Sequence, residues 1–148
     1  IMSSNEIAEA RRQLRRILKL LIDSEEGLLG AMIIDIKEGL SLEFVPREEA
    51  LESDVGPIAD EEAIAGTLKE SHDKIQELVS PDRLNLGKLS KVVIEGDTGI
   101  VIIQTLKEEA VLLLYGKKNT KIGFVYTLLN EVLGKIEEYT KKSISLPS

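Results

Sequence analysis

Residues 88–116, KLSKVVIEGDTGIVIIQTLKEEAVLLLYG, constrain the fold more than any other stretch of this chain. Three short apolar runs, VVI, IVII and VLLLY, are separated by two tight polar turns, EGDTG and LKEE. Runs of this length, bounded by turn residues, predict a three-stranded antiparallel meander. Helical segments flank the meander, and a helix and a hairpin precede them. The order is therefore helix–strand–strand–helix–strand–strand–strand–helix.

The first helix is expected over residues 5–24, with Asn5 as N-cap and Ile7, Ala10, Leu14, Ile17, Leu18 and Leu21 forming one apolar stripe. Gly27 ends it. Residues 28–36, LLGAMIIDI, read as an apolar strand, and Gly39 supplies the positive φ of the turn that follows. Residues 40–45 alternate, which predicts Leu40, Leu42 and Phe44 on one face and Ser41 and Glu43 on a wet one. Pro46 closes that strand. The charged stretch 46–59, with Gly56 and Pro57, reads as a mobile loop. The second helix spans 60–79, with Asp60 as N-cap, Glu61 and Glu62 in its first turn, and Ile64, Leu68, Ile75, Leu78 and Val79 as its core face. The last helix, 120–141, starts at Asn119 or Thr120, and the tail 142–148 is expected to fray.

Strands that are apolar on both faces must be covered on both, and only the helices can do this. The prediction is an α+β domain over residues 1–148, with its core at about 5–141 and one five-stranded antiparallel sheet carrying helices on both faces. Aromatic residues make up 3% of the chain, so Leu, Ile and Val must build the core. If the third meander strand pairs with the first hairpin, strand 91–95 lies at an edge. Between Lys91 and Glu95 that edge offers only Val92, Val93 and Ile94, with no central charge, proline or bulge. Bare edges recruit other strands. Homodimerisation through strand 91–95 is therefore expected, with one sheet continuing across two chains.

The net charge of −7 argues against a dedicated nucleic-acid binder. Without cysteine there is no disulfide, thiol nucleophile or cysteine-based zinc site. No apolar run approaches the ~20 residues of a membrane span, and the first 25 residues are charged and amphipathic. A cytoplasmic protein is expected. The many Glu and Lys residues, with few Asn and Gln, fit a thermophilic source. His72, the only histidine, cannot build a metal site alone and reads as a residue at the border of the second helix's apolar face. No nucleophile–base–orienter set is visible, and no glycine spacing matches a P-loop. No catalytic residue, metal or cofactor is expected.

Several stretches resemble the roadblock/LC7 family: GAMIIDIKEGL after the first helix, AIAGTL in the second, LNLGKLSKVVIEGDTGIVIIQTL, and NTKIG opening the last. The resemblance covers about residues 5–140. It implies a profilin-like, longin-related fold and a non-catalytic module, paired with its own copy or a paralogous roadblock protein. It further implies that this module regulates or scaffolds a Ras-like small GTPase. In the family the dimer forms through the strand after the second helix, with the two copies of that helix side by side.

The surfaces follow from the bare edge and the resemblance together. The expected dimer interface is Lys91, Val92, Val93, Ile94 and Glu95, with Ala65 and Gly66 on the second helix. Gly66 costs roughly 1 kcal/mol relative to alanine there, and a small outward residue lets another backbone approach. The expected partner-binding face is Glu62, Lys69, Glu70, Asp73 and Glu77. A second, basic surface on the first helix carries Arg12, Arg15, Arg16 and Lys19, with Arg11 alongside, and suits an acidic partner or anionic headgroups. The alternative function is a small-ligand sensor of PAS or longin type, or a general assembly scaffold without a GTPase. A sensor needs a pocket, and the lean aliphatic core gives no sign of one.

Overall fold

The computed structural model describes residues 2–48, 55–57 and 60–144. Its elements run α1 (Ser4–Asp23), β1 (Leu28–Asp35), β2 (Leu40–Pro46), α2 (Glu61–Val79), β3 (Lys91–Glu95), β4 (Gly99–Thr105), β5 (Ala110–Lys117) and α3 (Ile122–Ser143). The five strands form one sheet in the order β2-β1-β5-β4-β3, and every pairing is antiparallel. β1, β5 and β4, whose apolar residues go to both faces, are the three interior strands of the sheet.

One face packs against α1 and α3. Leu14, Leu18, Ala31, Ile33, Leu112 and Leu114, with Val125, Leu129 and Ile136 of α3, belong to that core. The other face packs against α2, through Met32, Ile34, Ala65, Leu68, Val111 and Leu113, and Val55 of the segment before α2 packs on the same core. Alternation along β1 and β5 sends successive residues to opposite cores.

Helix caps lie close to their expected places. Ser3, rather than Asn5, is the N-cap of α1, and it forms a capping box with Glu6. Asp60 caps α2 by accepting from the Ala63 N–H at 2.8 Å. Gly39 takes φ +70° in the β1–β2 turn, as that turn requires. The last helix continues past residue 141. Ser143 is buried and its hydroxyl donates to the Tyr139 carbonyl at 2.6 Å, so positions 142 and 143 belong to the helix; residues 145–148 of the expected frayed tail lie outside the described ones. Of the expected loop 46–59, Pro46 ends β2 and residues 49–54 and 58–59 lie outside the described residues.

Two sequence expectations fail for definite reasons. The register of β2 slips where Ile33 pairs with Glu43 but Ile34 pairs with Ser41. The extra residue, Leu42, is a bulge, and a bulge breaks period-2 alternation. Leu42 therefore packs against the α1/α3 core while Phe44 packs against the α2 core. Glu43 faces α1, where it pairs with Arg15, and Ser41 faces α2, donating its hydroxyl to Glu61 at 2.8 Å. The second failure is the rotation of α2. Its buried residues are Ala65, Leu68 and His72, whereas Leu78 is 51% exposed and Ile64 and Ile75 are half-buried. Ala65 lets the helix axis come close to the sheet, so the helix turns its smaller side inward.

Candidate functional site

β3 ends the sheet, and among the described residues no further strand pairs with its outer side. Val93 is 42% and Ile94 51% exposed. Charges stand only at its ends. The Lys91 ammonium lies 3.9 Å above the Tyr126 ring, and Glu95 pairs with Lys118 at 3.3 Å. β3 thus lies at the sheet edge, as the sequence predicts, with Val92 turned to the core and Val93 and Ile94 exposed.

Among the described residues, the α2 face of the sheet is incompletely covered beside that edge. α2 packs beside β2, and Val55, Gly56 and Pro57 of the segment before α2 reach over the β3–β4 side. The result is an apolar cavity of about 400 Å³ lined by Met32, Ile64, Ile94, Val101, Leu113 and Tyr115, among others. No run of residues announces this cavity, because it arises from the placement of α2 over the sheet. Burial pushes the Tyr115 phenol up to about 12.

The expected residues of α2 divide into three groups. Ala65 is fully buried in the α2 core, so it cannot meet a partner; that expectation is corrected. Gly66 is half-buried, and a Cβ added there would meet no atom within 4 Å. It lies on the flank towards the β1–β2 turn, where a Cβ on Gly39 would come 3.6 Å from the Gly66 Cα. The opposite flank carries Ile64, Ile75 and Leu78, which their helical spacing assigns to the core, and Ile64 lines the cavity together with Ile94 of β3. Glu62, Glu70, Asp73 and Glu77 are all exposed. Glu62 also accepts from the Ser41 N–H at 3.4 Å, Lys69 pairs with Asp73 at 3.5 Å, and Glu77 pairs with Arg83 at 3.1 Å. The acidic face is therefore real but partly compensated.

The basic stripe of α1 is more strongly compensated. Arg12 donates to Glu9 at 2.5 and 2.9 Å, Arg15 pairs with Glu43, and Arg11 reaches the Ser143 carbonyl at 3.4 Å. Bonds from Gln13 and Arg12 hold the Glu9 carboxyl below its usual range. Arg16 and Lys19 remain exposed on the same side. Arg47 is structural. Its guanidinium donates to the carbonyls of Leu28 at 2.7 Å, Glu25 at 2.9 Å and Ile22. Those carbonyls lie at and just beyond the C-terminus of α1.

Among the described residues no group of three or more His, Asp or Glu side chains is placed to hold a metal ion. No described helix is long and apolar enough to cross a membrane.

Solved structures share this fold across nearly the whole chain. An MglB with a tetrameric arrangement superposes with a TM-score of 0.75 over 91% of this chain and 93% of its own, at 14% identity. The chain has the roadblock/LC7 fold. A roadblock/LC7 domain from Streptomyces avermitilis gives 0.69 over 86% and 97%, at 10% identity. The gliding protein MglB of Thermus thermophilus gives 0.73 over 90% and 92%, at 14% identity. No family model and no curated protein matches the chain. In this roadblock fold Ile94 of the edge strand β3 and Ile64 of α2 line one cavity, and the surface around it is the candidate site.

Proposed function

We propose that this chain is a non-catalytic dimeric module that binds a Ras-like small GTPase and regulates or scaffolds it. The observation that carries the reading is the edge strand β3, which pairs on its outer side with no further strand among the described residues, together with the apolar flank of α2. Val93 and Ile94 offer strand pairing, and Ile64, Ile75 and Leu78 offer an apolar strip beside it. A second copy that pairs through β3 brings its own α2 next to this one, so the two strips cover each other. Glu70, Asp73 and Glu77 then face outward from the paired helices and suit a partner with a basic patch. The GTPase rests on the family resemblance of the sequence together with the fold. Cytoplasmic location belongs to the same reading.

The test is a pull-down of small GTPases from the source cells, loaded with GDP or a GTP analogue, followed by a hydrolysis assay. Binding in one nucleotide state, weakened by Glu70→Lys with Asp73→Lys, supports the reading. A Cβ at position 66 meets no atom of its own chain, so Gly66→Leu is expected to weaken partner binding while the monomer stays folded. Failure to bind any GTPase in either state overturns the GTPase reading.

The 400 Å³ apolar cavity favours a second reading, a small-ligand sensor. Native mass spectrometry distinguishes the two, because a sensor carries an apolar adduct that a dimer filling the same space excludes.

A further inference from the structure

A second cleft, of about 490 Å³, lies under the later turns of α2 and is separate from the β3 surface. It runs between α2, the β1–β2 turn and the β4–β5 turn. His72 from α2 and Thr105 at the end of β4 both line it. His72 is only 4% exposed, and neither of its ring nitrogens has a hydrogen-bond partner. The Thr105 hydroxyl is likewise buried and unpartnered. Buried polar groups are nearly always bonded, and leaving one unpaired is costly. Two residues with such groups line one cleft, which points to a molecule that bonds both.

The chemistry of that molecule follows from the walls. Burial holds the imidazole neutral, so it offers one N–H and one lone pair. A threonine hydroxyl also both donates and accepts. Ligand hydroxyls match both groups, whereas a bare cation or anion matches only half of each. The rim is balanced in charge: Lys37 and Lys69 stand against Asp73 and Glu109, with Lys69 and Asp73 already paired. A charged ligand would meet a like charge there. Ile36 and Ala110 supply an apolar wall for carbon–hydrogen faces. The rim is also held at a cost. Glu108 and Glu109 are consecutive left-handed residues, at φ 62° and 56°, and the Glu109 carbonyl is fixed by the Ile36 N–H at 2.9 Å.

We propose that the cleft between α2 and the β1–β2 and β4–β5 turns binds a small uncharged polyhydroxyl molecule, of the polyol or monosaccharide class, through His72 and Thr105. The site does not depend on the GTPase reading or on dimerisation.

His72 is the only histidine, so its ring nitrogens give the sole histidine signals in a ¹⁵N-histidine-labelled sample of the whole chain. Titration with myo-inositol and with glucose is expected to shift those signals saturably in the millimolar range. Acetate and methylammonium are expected to give no saturable shift. Thr105→Val keeps the volume but removes the hydroxyl, and is expected to weaken binding by roughly three- to tenfold. Shifts that stay linear or absent with both polyhydroxyl probes overturn the site, as does saturation by acetate or methylammonium alone. Unchanged affinity in Thr105→Val removes Thr105 from it. The wild-type titration decides without the variant should the variant unfold.

Discussion

The ring of Tyr115 lies over the α-carbon of Gly30, its cross-strand partner in the β1–β5 pair. A Cβ added to Gly30 would stand 2.6 Å from the ring carbon Cε1. Phe44 packs on the same ring, with 6.5 Å between centroids. Gly30→Ala must push the ring aside or shift the strand, and overpacking of this kind costs about 1–3 kcal/mol. Urea unfolding followed by circular dichroism is expected to show that loss. Gly30→Ala in a Tyr115→Leu background is expected to recover part of it, because the clash is with the ring.

The same burial makes an alkaline prediction. The Tyr115 phenol is pushed up to about 12 from an ordinary value of 10.0. The unfolded chain therefore loses this proton first. The contribution of Tyr115 is fully present below about pH 10 and is lost as pH rises towards 12. Ultraviolet titration of the tyrosinate band is expected to show a late step near pH 12 that Tyr115→Phe removes.

Arg47 closes the end of α1 from outside the helix. Its three bonds go to the Ile22, Glu25 and Leu28 carbonyls, where the helix dipole also favours a cation. Arg47→Met keeps the stem but removes the donors, and is expected to cost about 2–3 kcal/mol in urea unfolding. Arg47→Lys is expected to fall between, because one ammonium cannot copy the guanidinium fork. Equal midpoints for wild type and Arg47→Met would sink this assignment.

His72 makes the acid side sensitive. Desolvation lowers its pKa in the fold, and the nearby Asp73 opposes this less strongly. Lys69 on the same helix, Lys37 from the β1–β2 turn and Glu109 from the β4–β5 turn complete the charges around the cleft. Below about 6.5 the unfolded chain takes up a proton that the fold resists. Stability from this group is full above that pH and falls as pH drops through the folded value. His72→Leu is expected to flatten the stability profile between about pH 7 and 5. A parallel profile in the variant would refute the assignment.

The order of elements and the positions of β1, β5 and β3 are legible in the sequence because they depend on apolar runs and turn residues. Leu28–Ile34 and Ala110–Leu114 are apolar on both faces, as suits strands covered on both. The bulge at Leu42 leaves no trace there, since a single extra residue in so short a strand looks like ordinary alternation. The rotation of α2 runs against its own pattern, because Ile64, Leu68, Ile75 and Leu78 make a stronger hydrophobic stripe than Ala65, Leu68 and His72. Close approach to a flat sheet selects the small residue, and the larger ones are displaced to the flank. Arg47 is not legible either, because its partners are backbone carbonyls 19 to 25 residues earlier.

That displacement sets the prediction at the sheet edge. Val93 points to the α1/α3 face of β3 and Ile94 to the α2 face, since their partners Ile102 and Val101 belong to those two cores. A lysine at Ile94 places a charge between the edge and the apolar flank of α2, where a pairing strand would have to desolvate it. Edge lysines are a common natural barrier to strand pairing. Ile94→Lys is expected to convert a dimer to a monomer in multi-angle light scattering, with little loss of monomer stability because Ile94 is half exposed already. Leu78→Glu on the flank is expected to weaken the dimer without abolishing strand pairing. Val93→Lys, on the other face of the same edge, separates the two contributions. If it dissociates the dimer as fully as Ile94→Lys, the edge alone holds the copies together, and if it does not, the α2 flank carries the larger share. A wild-type mass equal to one chain at all concentrations would rule out the edge as a self-association surface.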